Sequence, residues 1–150
     1  MSRIRLADGL YAITDPALIP PGQLSACVAR AIAGGASVIQ YRNKQAAAHE
    51  RHQEATALVT LCRRHNVPLI INDDAGLAAA VGASGVHLGR TDPPVRQTRE
   101  QLGPDALIGV SCYNDLERAS AAAQAGADYV AFGCFFPSHS KPQAPPAGTP

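Results

Sequence analysis

The sequence predicts an α/β protein, a (β/α)8 TIM barrel that is truncated after about six βα units. Short β-branched runs alternate with alanine-rich helical patterns, several helical patterns end in Gly-Ala just before a strand, and polar side chains gather where strands end. Alternating strands and helices form parallel sheets through right-handed crossovers. A barrel carries its functional groups beyond the carboxyl ends of its strands. The three observations therefore agree on one architecture.

Each predicted strand is a short apolar run that ends in polar residues. The runs are nearly continuous in apolar character, as expected of a parallel sheet that is covered on both faces. In chain order the strands are predicted at 10–15, 38–42, 69–73, 85–89, 107–112 and 129–136.

Helices are predicted in the intervals, because apolar residues recur there at helical spacing and form one buried stripe. Asp74 precedes one helix as its N-cap, and Asn114 with Glu117 resembles a capping box before another. The stripes of the first two helices contain Leu24, Val28, Ala31 and Ile32, and then Ala55, Leu58, Val59 and Cys62.

The Gly-Ala pairs favour a barrel over an open sheet. They begin at Gly35, Gly82 and Gly126, which are 47 and 44 residues apart, and each period holds two βα units. Three periods give six strands, whereas a closed barrel has eight. A doubly wound sheet is the alternative, but no G-x-G-x-x-G follows the first strand. We expect residues 1–150 to be a single barrel domain that lacks its C-terminal strands, with 137–150 as a proline-rich active-site loop or tail.

Composition restricts the classes of partner. A hydrophobic fraction of 46% and a charged fraction of 17% indicate a globular chain. The net charge of +1 gives no general field for nucleic acid or a membrane surface, so the expected partners are small molecules, with a homo-oligomer left open. The four cysteines lack C-x-x-C spacing and fit buried thiols. With no export signal or long apolar run, we expect a cytoplasmic protein.

Gln40, Arg42 and Lys44 form the most informative motif. In an extended strand, alternate residues share a face, so these three side chains are predicted to converge beyond the second strand. Two cations and an amide at one point indicate an anion site. Taken alone, the motif could also be a solvated strand end.

Two carboxylates follow consecutive strands and predict a magnesium site. Asp73 ends the third strand and Asp92 follows the fourth. Mg²⁺ is commonly bound by one or two carboxylates together with substrate phosphates. For Asp73 a helix-capping role stays open as the alternative, and His87, inside the fourth strand, is expected to be a core histidine with its hydrogen bonds satisfied.

Further polar residues are predicted at the same rim. Ser111 ends the fifth strand, and Ser138, Ser140 and Lys141 lie in the proline-rich loop after the sixth. A loop in this position covers the mouth of a barrel, where active sites form. The alternative is a frayed tail.

With these motifs in order, the chain resembles the thiamine phosphate synthases of the TenI-like superfamily over essentially its whole length. It departs from the common pattern at Asp74, at Arg90, where many members have Gln, and at Cys112–Tyr113, where Thr-His is common. The matching segments are Leu10–Asp15, Gln40-x-Arg42-x-Lys44, Ile71–Asp73, Gly85–Gly89 with Asp92, Ile108–Ser111, and Gly126–Tyr129 through Lys141.

The resemblance implies a magnesium-dependent transferase that couples 4-amino-2-methyl-5-pyrimidinylmethyl pyrophosphate with a thiazole phosphate and releases pyrophosphate. No residue is expected to act as a nucleophile. A thiazole tautomerase-like enzyme and a non-catalytic fragment that binds pyrophosphate or product are the alternatives. The resemblance implies substrate binding by Gln40, Arg42, Lys44, Asn72, Ser111 and Lys141, and metal binding by Asp73 and Asp92. Ser138 and Ser140 are expected to bind substrate as well, from their place in the loop.

Overall fold

The computed structural model describes residues 9–137, 139 and 142–148. Within them, strands and helices alternate as the sequence predicts. The elements are β1 (Leu10–Ile13), α1 (Leu24–Ala33), β2 (Ala36–Tyr41), α2 (Ala48–Arg64), β3 (Leu69–Asn72), α3 (Ala75–Val81), β4 (Gly85–Leu88), α4 (Val95–Leu102), β5 (Leu107–Tyr113), α5 (Leu116–Gln124) and β6 (Tyr129–Phe132).

The six strands form one parallel sheet in the order β1-β2-β3-β4-β5-β6. The sheet is strongly curled, because Tyr11 of β1 and Tyr129 of β6 meet across its interior with their hydroxyl oxygens 2.7 Å apart. Each strand is hydrogen-bonded to the next in sequence, as in a barrel. The predicted fold class is confirmed, with six strands of a barrel-like sheet in the described residues.

The two faces of the sheet bury different side chains. The outer face packs on the helices, and Leu58 and Cys62 of α2 are fully buried in one cluster with strand residues such as Ile39, Leu69 and Ile108. Each buried Leu or Ile contributes roughly 1.5–3 kcal/mol to folding. The other outward-facing core residues include Ile71, Val86, Leu88 and Val110.

The inner face changes character along the strands. Val38 and Ile70 fill its amino-terminal end, and Gln40 and His87 follow toward the carboxyl end, all of them buried. In the strand register, His87 is paired with Asn72 of β3 and Gly109 of β5, and paired residues point the same way, whereas Gln40 is paired with Ile70. The interior is therefore apolar at one end and polar at the other.

Two predicted boundaries are wrong in informative ways. β6 ends at Phe132 rather than Phe136, because Gly133 has a φ of 146°, which a strand does not accommodate. α5 is capped by Asp115, whose carboxylate accepts a hydrogen bond from Arg118 N at 2.8 Å, and not by Asn114. The predicted cap at Asp74 is confirmed by its bond from Leu77 N.

Among the described residues, no helix combines the length and the hydropathy that a bilayer crossing requires.

Candidate active site

Two adjoining cavities open at the carboxyl ends of the strands. The inner cavity, of about 410 Å³, lies inside the curled sheet, and the rim cavity, of about 370 Å³, lies above it. Tyr113 and Ala144 line both. The inner cavity is also lined by Tyr11, Ile13, Gln40, His87, Ser111, Tyr129, Val130, Ala131, Phe132, Gly133 and Cys134, and the rim cavity by Arg42, Lys44, Asp73, Gly89, Arg90, Thr91, Pro142, Gln143 and Pro145.

A chain of hydrogen bonds runs across the inner cavity. Gln40 Nε2 donates to the Tyr11 hydroxyl at 2.8 Å, and that hydroxyl contacts the Tyr129 hydroxyl. The Tyr129 hydroxyl oxygen lies 3.0 Å from His87 Nδ1, and His87 Nε2 lies 2.8 Å from Ser111 Oγ. Five side chains from five strands are thus held in fixed positions.

The two tyrosines remain protonated in this setting. Burial raises the pKa of Tyr11, and burial together with the neighbouring Tyr11 raises that of Tyr129 far above its usual range. Both phenols therefore act as hydrogen-bond donors or acceptors and not as bases. With five ring side chains and an amide among its lining residues, the inner cavity suits a flat heteroaromatic ligand.

The rim cavity is cationic where β2 ends. Thr14 fixes the start of this loop: its Oγ1 accepts from Arg42 N at 2.8 Å and donates to the Arg42 carbonyl at 3.2 Å. Lys44 Nζ then lies 2.7 Å from Asp73 Oδ2. Arg42 and Lys44 therefore face one cavity, whereas Gln40 faces the other.

Asp73 and Asp92 meet around Gly89. Gly89 N donates to Asp92 Oδ2, and an atom at the Cβ position of Gly89 would be 3.1 Å from that oxygen and 3.6 Å from Asp73 Oδ1. Burial opposes the charge on Asp73, but the influence of Lys44 together with those of Asp92 and Asn72 outweighs it and lowers the pKa of Asp73. In Asp92, burial and the charge of Asp73 raise the pKa, although the hydrogen bond from Gly89 N opposes the rise. Carboxylate oxygens are hard ligands of the kind that Mg²⁺ prefers, and it is usually bound by one or two carboxylates. Asp73 and Asp92 fit that number. No described residue completes a cluster of three His, Cys, Asp or Glu side chains there.

Arg118 ties two strand ends together. Its Nε donates to the Ser111 carbonyl at 2.8 Å and its Nη2 to the Gly89 carbonyl at 3.0 Å. The helix dipole disfavours a cation in the first turn of a helix. The two hydrogen bonds offset this cost and hold Arg118 in place. Arg118 links the end of β5, beside the inner cavity, to the carboxylate pair.

The proline-rich segment covers the mouth in part. Residues 142–145 line the rim cavity, and Ala147 N donates to the Cys134 carbonyl at 2.8 Å. Ser138, Ser140 and Lys141 lie outside the described residues, so their predicted roles stay predictions.

The predicted site residues occupy two places and not one. Gln40 and Ser111 line the inner cavity, Arg42, Lys44 and Asp73 line the rim cavity, and Asn72 ends β3 directly before Asp73. β2 ends at Tyr41, so the strand alternation from which a common face was predicted does not reach Arg42 and Lys44. The convergence of Gln40, Arg42 and Lys44 on one ligand stays a prediction.

Sequence reasoning missed Tyr11 and Tyr129 and gave His87 a core role only. His87 is buried and hydrogen-bonded as expected, yet it also lines the inner cavity. The signal available was its polar ring in the middle of a buried strand.

Comparisons with known proteins agree on one family. The family model described as thiamine monophosphate synthase matches residues 10–150. The thiamine-phosphate synthase of Nitrosococcus oceani is 56% identical over 135 residues, which are 90% of this chain and 62% of that protein. The thiamine-phosphate synthase of Alcanivorax borkumensis is 50% identical over 139 residues, 93% of this chain and 64% of that protein.

A solved structure is similar as well. The thiamine phosphate pyrophosphorylase from Pyrococcus furiosus superposes with a TM-score of 0.77 at 38% identity, covering 86% of this chain and 61% of that one. A Schiff base-forming fructose-1,6-bisphosphate aldolase, at 16% identity and a TM-score of 0.58, shares the fold alone. The chain spans less than two thirds of the length of each of these relatives.

Proposed function

The chain belongs to the thiamine monophosphate synthase family, and we propose that it serves the coupling of 4-amino-2-methyl-5-pyrimidinylmethyl pyrophosphate with a thiazole phosphate to give thiamine phosphate and pyrophosphate. Family membership supports the reaction class. The observation that carries the proposal is the pair of adjoining cavities, one lined by rings and hydrogen-bonding groups and the other by cations and a carboxylate. An aromatic ring joined to a pyrophosphate presents the same two chemistries in the same order.

The inner cavity is proposed to hold the aminopyrimidine. Gln40 and Ser111 offer polar groups to the ring's edge, while the Tyr11 and Tyr129 rings provide apolar surface. His87 contacts both Ser111 and Tyr129 and so fixes their orientations. Five linked side chains hold the pocket in shape before the ligand arrives, which lowers the entropic cost of binding.

The rim cavity is proposed to hold the pyrophosphate. Arg42 and Lys44 stand at its wall, and the backbone of Arg42 is held on both sides by Thr14. Lys44 is oriented by Asp73. Arginine suits a phosphate because its fork of donors makes paired, charge-assisted hydrogen bonds.

The reaction needs no side chain as nucleophile. The carbon–oxygen bond to pyrophosphate breaks with its electron pair going to the leaving group, and the thiazole nitrogen then donates its lone pair to the pyrimidinylmethyl carbon. The ring's amino group stabilises the cation between these steps. The protein contributes position and a cationic environment for the charge that develops on the leaving oxygen.

Mg²⁺ is proposed to be held by Asp73 and Asp92, whose oxygens meet around Gly89. When bound, it would neutralise charge on the departing pyrophosphate. Lys44 forms an ion pair with Asp73 and so favours the ionised, oriented form of its carboxylate. We also propose a cytoplasmic location, with self-association of the protein left to measurement.

The test is an assay with both substrates and MgCl₂, in which thiamine phosphate and pyrophosphate are measured together. We expect thiamine phosphate and pyrophosphate to form in equal amounts. Neither should form when EDTA replaces MgCl₂. Binding of the pyrimidine pyrophosphate without turnover would instead identify the non-catalytic alternative. Isomerisation of a thiazole without coupling would identify the tautomerase.

A further inference from the structure

The wall between the two cavities contains a pair of side chains that the proposed mechanism does not use. Tyr113 lines both cavities, and the guanidinium carbon of Arg90 lies 4.8 Å from the centre of its ring. Arg90 is on the loop directly after Gly89 and lines the rim cavity with Arg42 and Lys44. The cavity thus carries a third cation, beyond the end of β4.

Tyr113 is held in an uncommon backbone conformation. Its φ is 58°, in the left-handed region, which a bulky residue rarely adopts. Such residues persist where the surrounding structure fixes them, often at functional sites. At the end of β5, this conformation accompanies a ring that borders both cavities.

The contact between the two side chains also restricts Arg90. Arg90 is exposed, and a solvated arginine samples many rotamers. Stacking on an aromatic face reduces that freedom and leaves the edge of the guanidinium available to a ligand. An arginine held in this way loses less entropy when it binds a phosphate.

We propose that Arg90, held by the Tyr113 ring, is a third cationic ligand for the pyrophosphate group, and that Tyr113 is the positioning residue that divides the ring site from the phosphate site. This inference rests on the proposed function, since it assigns a ligand to the same site. It adds a contact from the β4–α4 loop to those from the β2–α2 loop.

The experiment is a calorimetric titration of inorganic pyrophosphate, with MgCl₂ present, into the wild type and four variants. Arg90→Gln is expected to weaken binding roughly tenfold, as the loss of one charge-assisted contact predicts. Tyr113→Asn removes the ring while Asn tolerates the left-handed backbone, and a loss of about threefold is expected. Tyr113→Phe keeps the ring and should bind as wild type. Arg96→Gln removes an equal charge at an exposed position of α4 and should change nothing.

The outcomes separate the two proposals. If the wild type does not bind pyrophosphate, the phosphate site itself is wrong and this inference is wrong with it. If the wild type binds and Arg90→Gln or Tyr113→Asn binds equally well, the role of that residue is overturned while the proposed function stands. Thermal midpoints measured for every variant would show whether a loss arises from unfolding, and Tyr113→Phe must then retain the affinity that Tyr113→Asn loses.

Discussion

At the scale of single residues, the site depends on side chains whose backbone places them in unusual positions. Asp73 has a φ of 64°, and its backbone N–H donates to the His87 carbonyl, so its carboxylate turns toward Lys44 and Asp92 instead of capping the next helix. The capping role belongs to Asp74, one residue later. Of the two roles that the sequence left open for Asp73, the structure excludes the cap.

Asp73→Asn is expected to abolish magnesium-dependent turnover, to below roughly 1% of wild type, while the fold stays intact. Asn has the same shape and tolerates the left-handed backbone, so only the charge is lost. Initial rates across a MgCl₂ series and a thermal melt are the measurements. Asp105→Asn, at an exposed turn, is the matched control. Unchanged activity would disprove the metal assignment.

Arg42→Ala is expected to weaken binding of the pyrimidine pyrophosphate roughly ten- to a hundredfold, and binding of the thiazole phosphate less than about threefold. The reason is that Arg42 lines the rim cavity, while the Thr14 contacts hold its backbone and survive the substitution. Separate titrations of the two substrates measure the difference. Arg64→Ala, at the exposed end of α2, controls for charge, and equal losses for both substrates would refute the site map.

At the scale of elements, the sequence predicts well which strands and helices exist and in what order. It predicts less well which side chains they bring into contact. All six strands and the helices between them were predictable, because apolar runs and helical stripes report burial directly. Which face of a strand points inward was not, since nearly continuous apolar runs carry no alternation. This is why Tyr11 and Tyr129 escaped notice. The motif Gln40-x-Arg42-x-Lys44 was placed wholly on one strand for a related reason: the strand ends at Tyr41, and sequence alone does not fix that boundary.

The start of α5 offers a sharp test at this scale. The capping-box pattern predicts Asn114 as the cap, whereas in the structure Asp115 accepts the hydrogen bond from Arg118 N. Asp115→Ala is expected to lower the free energy of unfolding by about 1 kcal/mol, and Asn114→Ala by much less. Urea denaturation of both variants measures this. The reverse order would mean that the sequence pattern, and not the described geometry, identifies the cap.

At the scale of the whole molecule, one aromatic side chain links the first and last strands of the sheet. Tyr129 contacts Tyr11 and His87 through its hydroxyl, and its ring centre lies 5.7 Å from that of Tyr11. Its ring lies over Gly109 of β5, where a Cβ would overlap it. The curl of the sheet and the shape of the inner cavity therefore both depend on a glycine.

Gly109→Ala tests this dependence, because its effect on the free energy of unfolding should change sign when Tyr129 is replaced by a smaller residue. In a strand interior, alanine is ordinarily more stable than glycine by roughly 0.5–1 kcal/mol. With Tyr129 in place, overlap with the ring should instead cost about 1–3 kcal/mol. In a Tyr129→Leu background the overlap is relieved, so Gly109→Ala should be neutral or stabilising there, and the difference between the backgrounds is the coupling energy. Urea denaturation of the four proteins in this cycle is the measurement. An equal effect of Gly109→Ala in both backgrounds would mean that the ring does not need the glycine, and the curl of the sheet would then have to be set by the strands and helices alone.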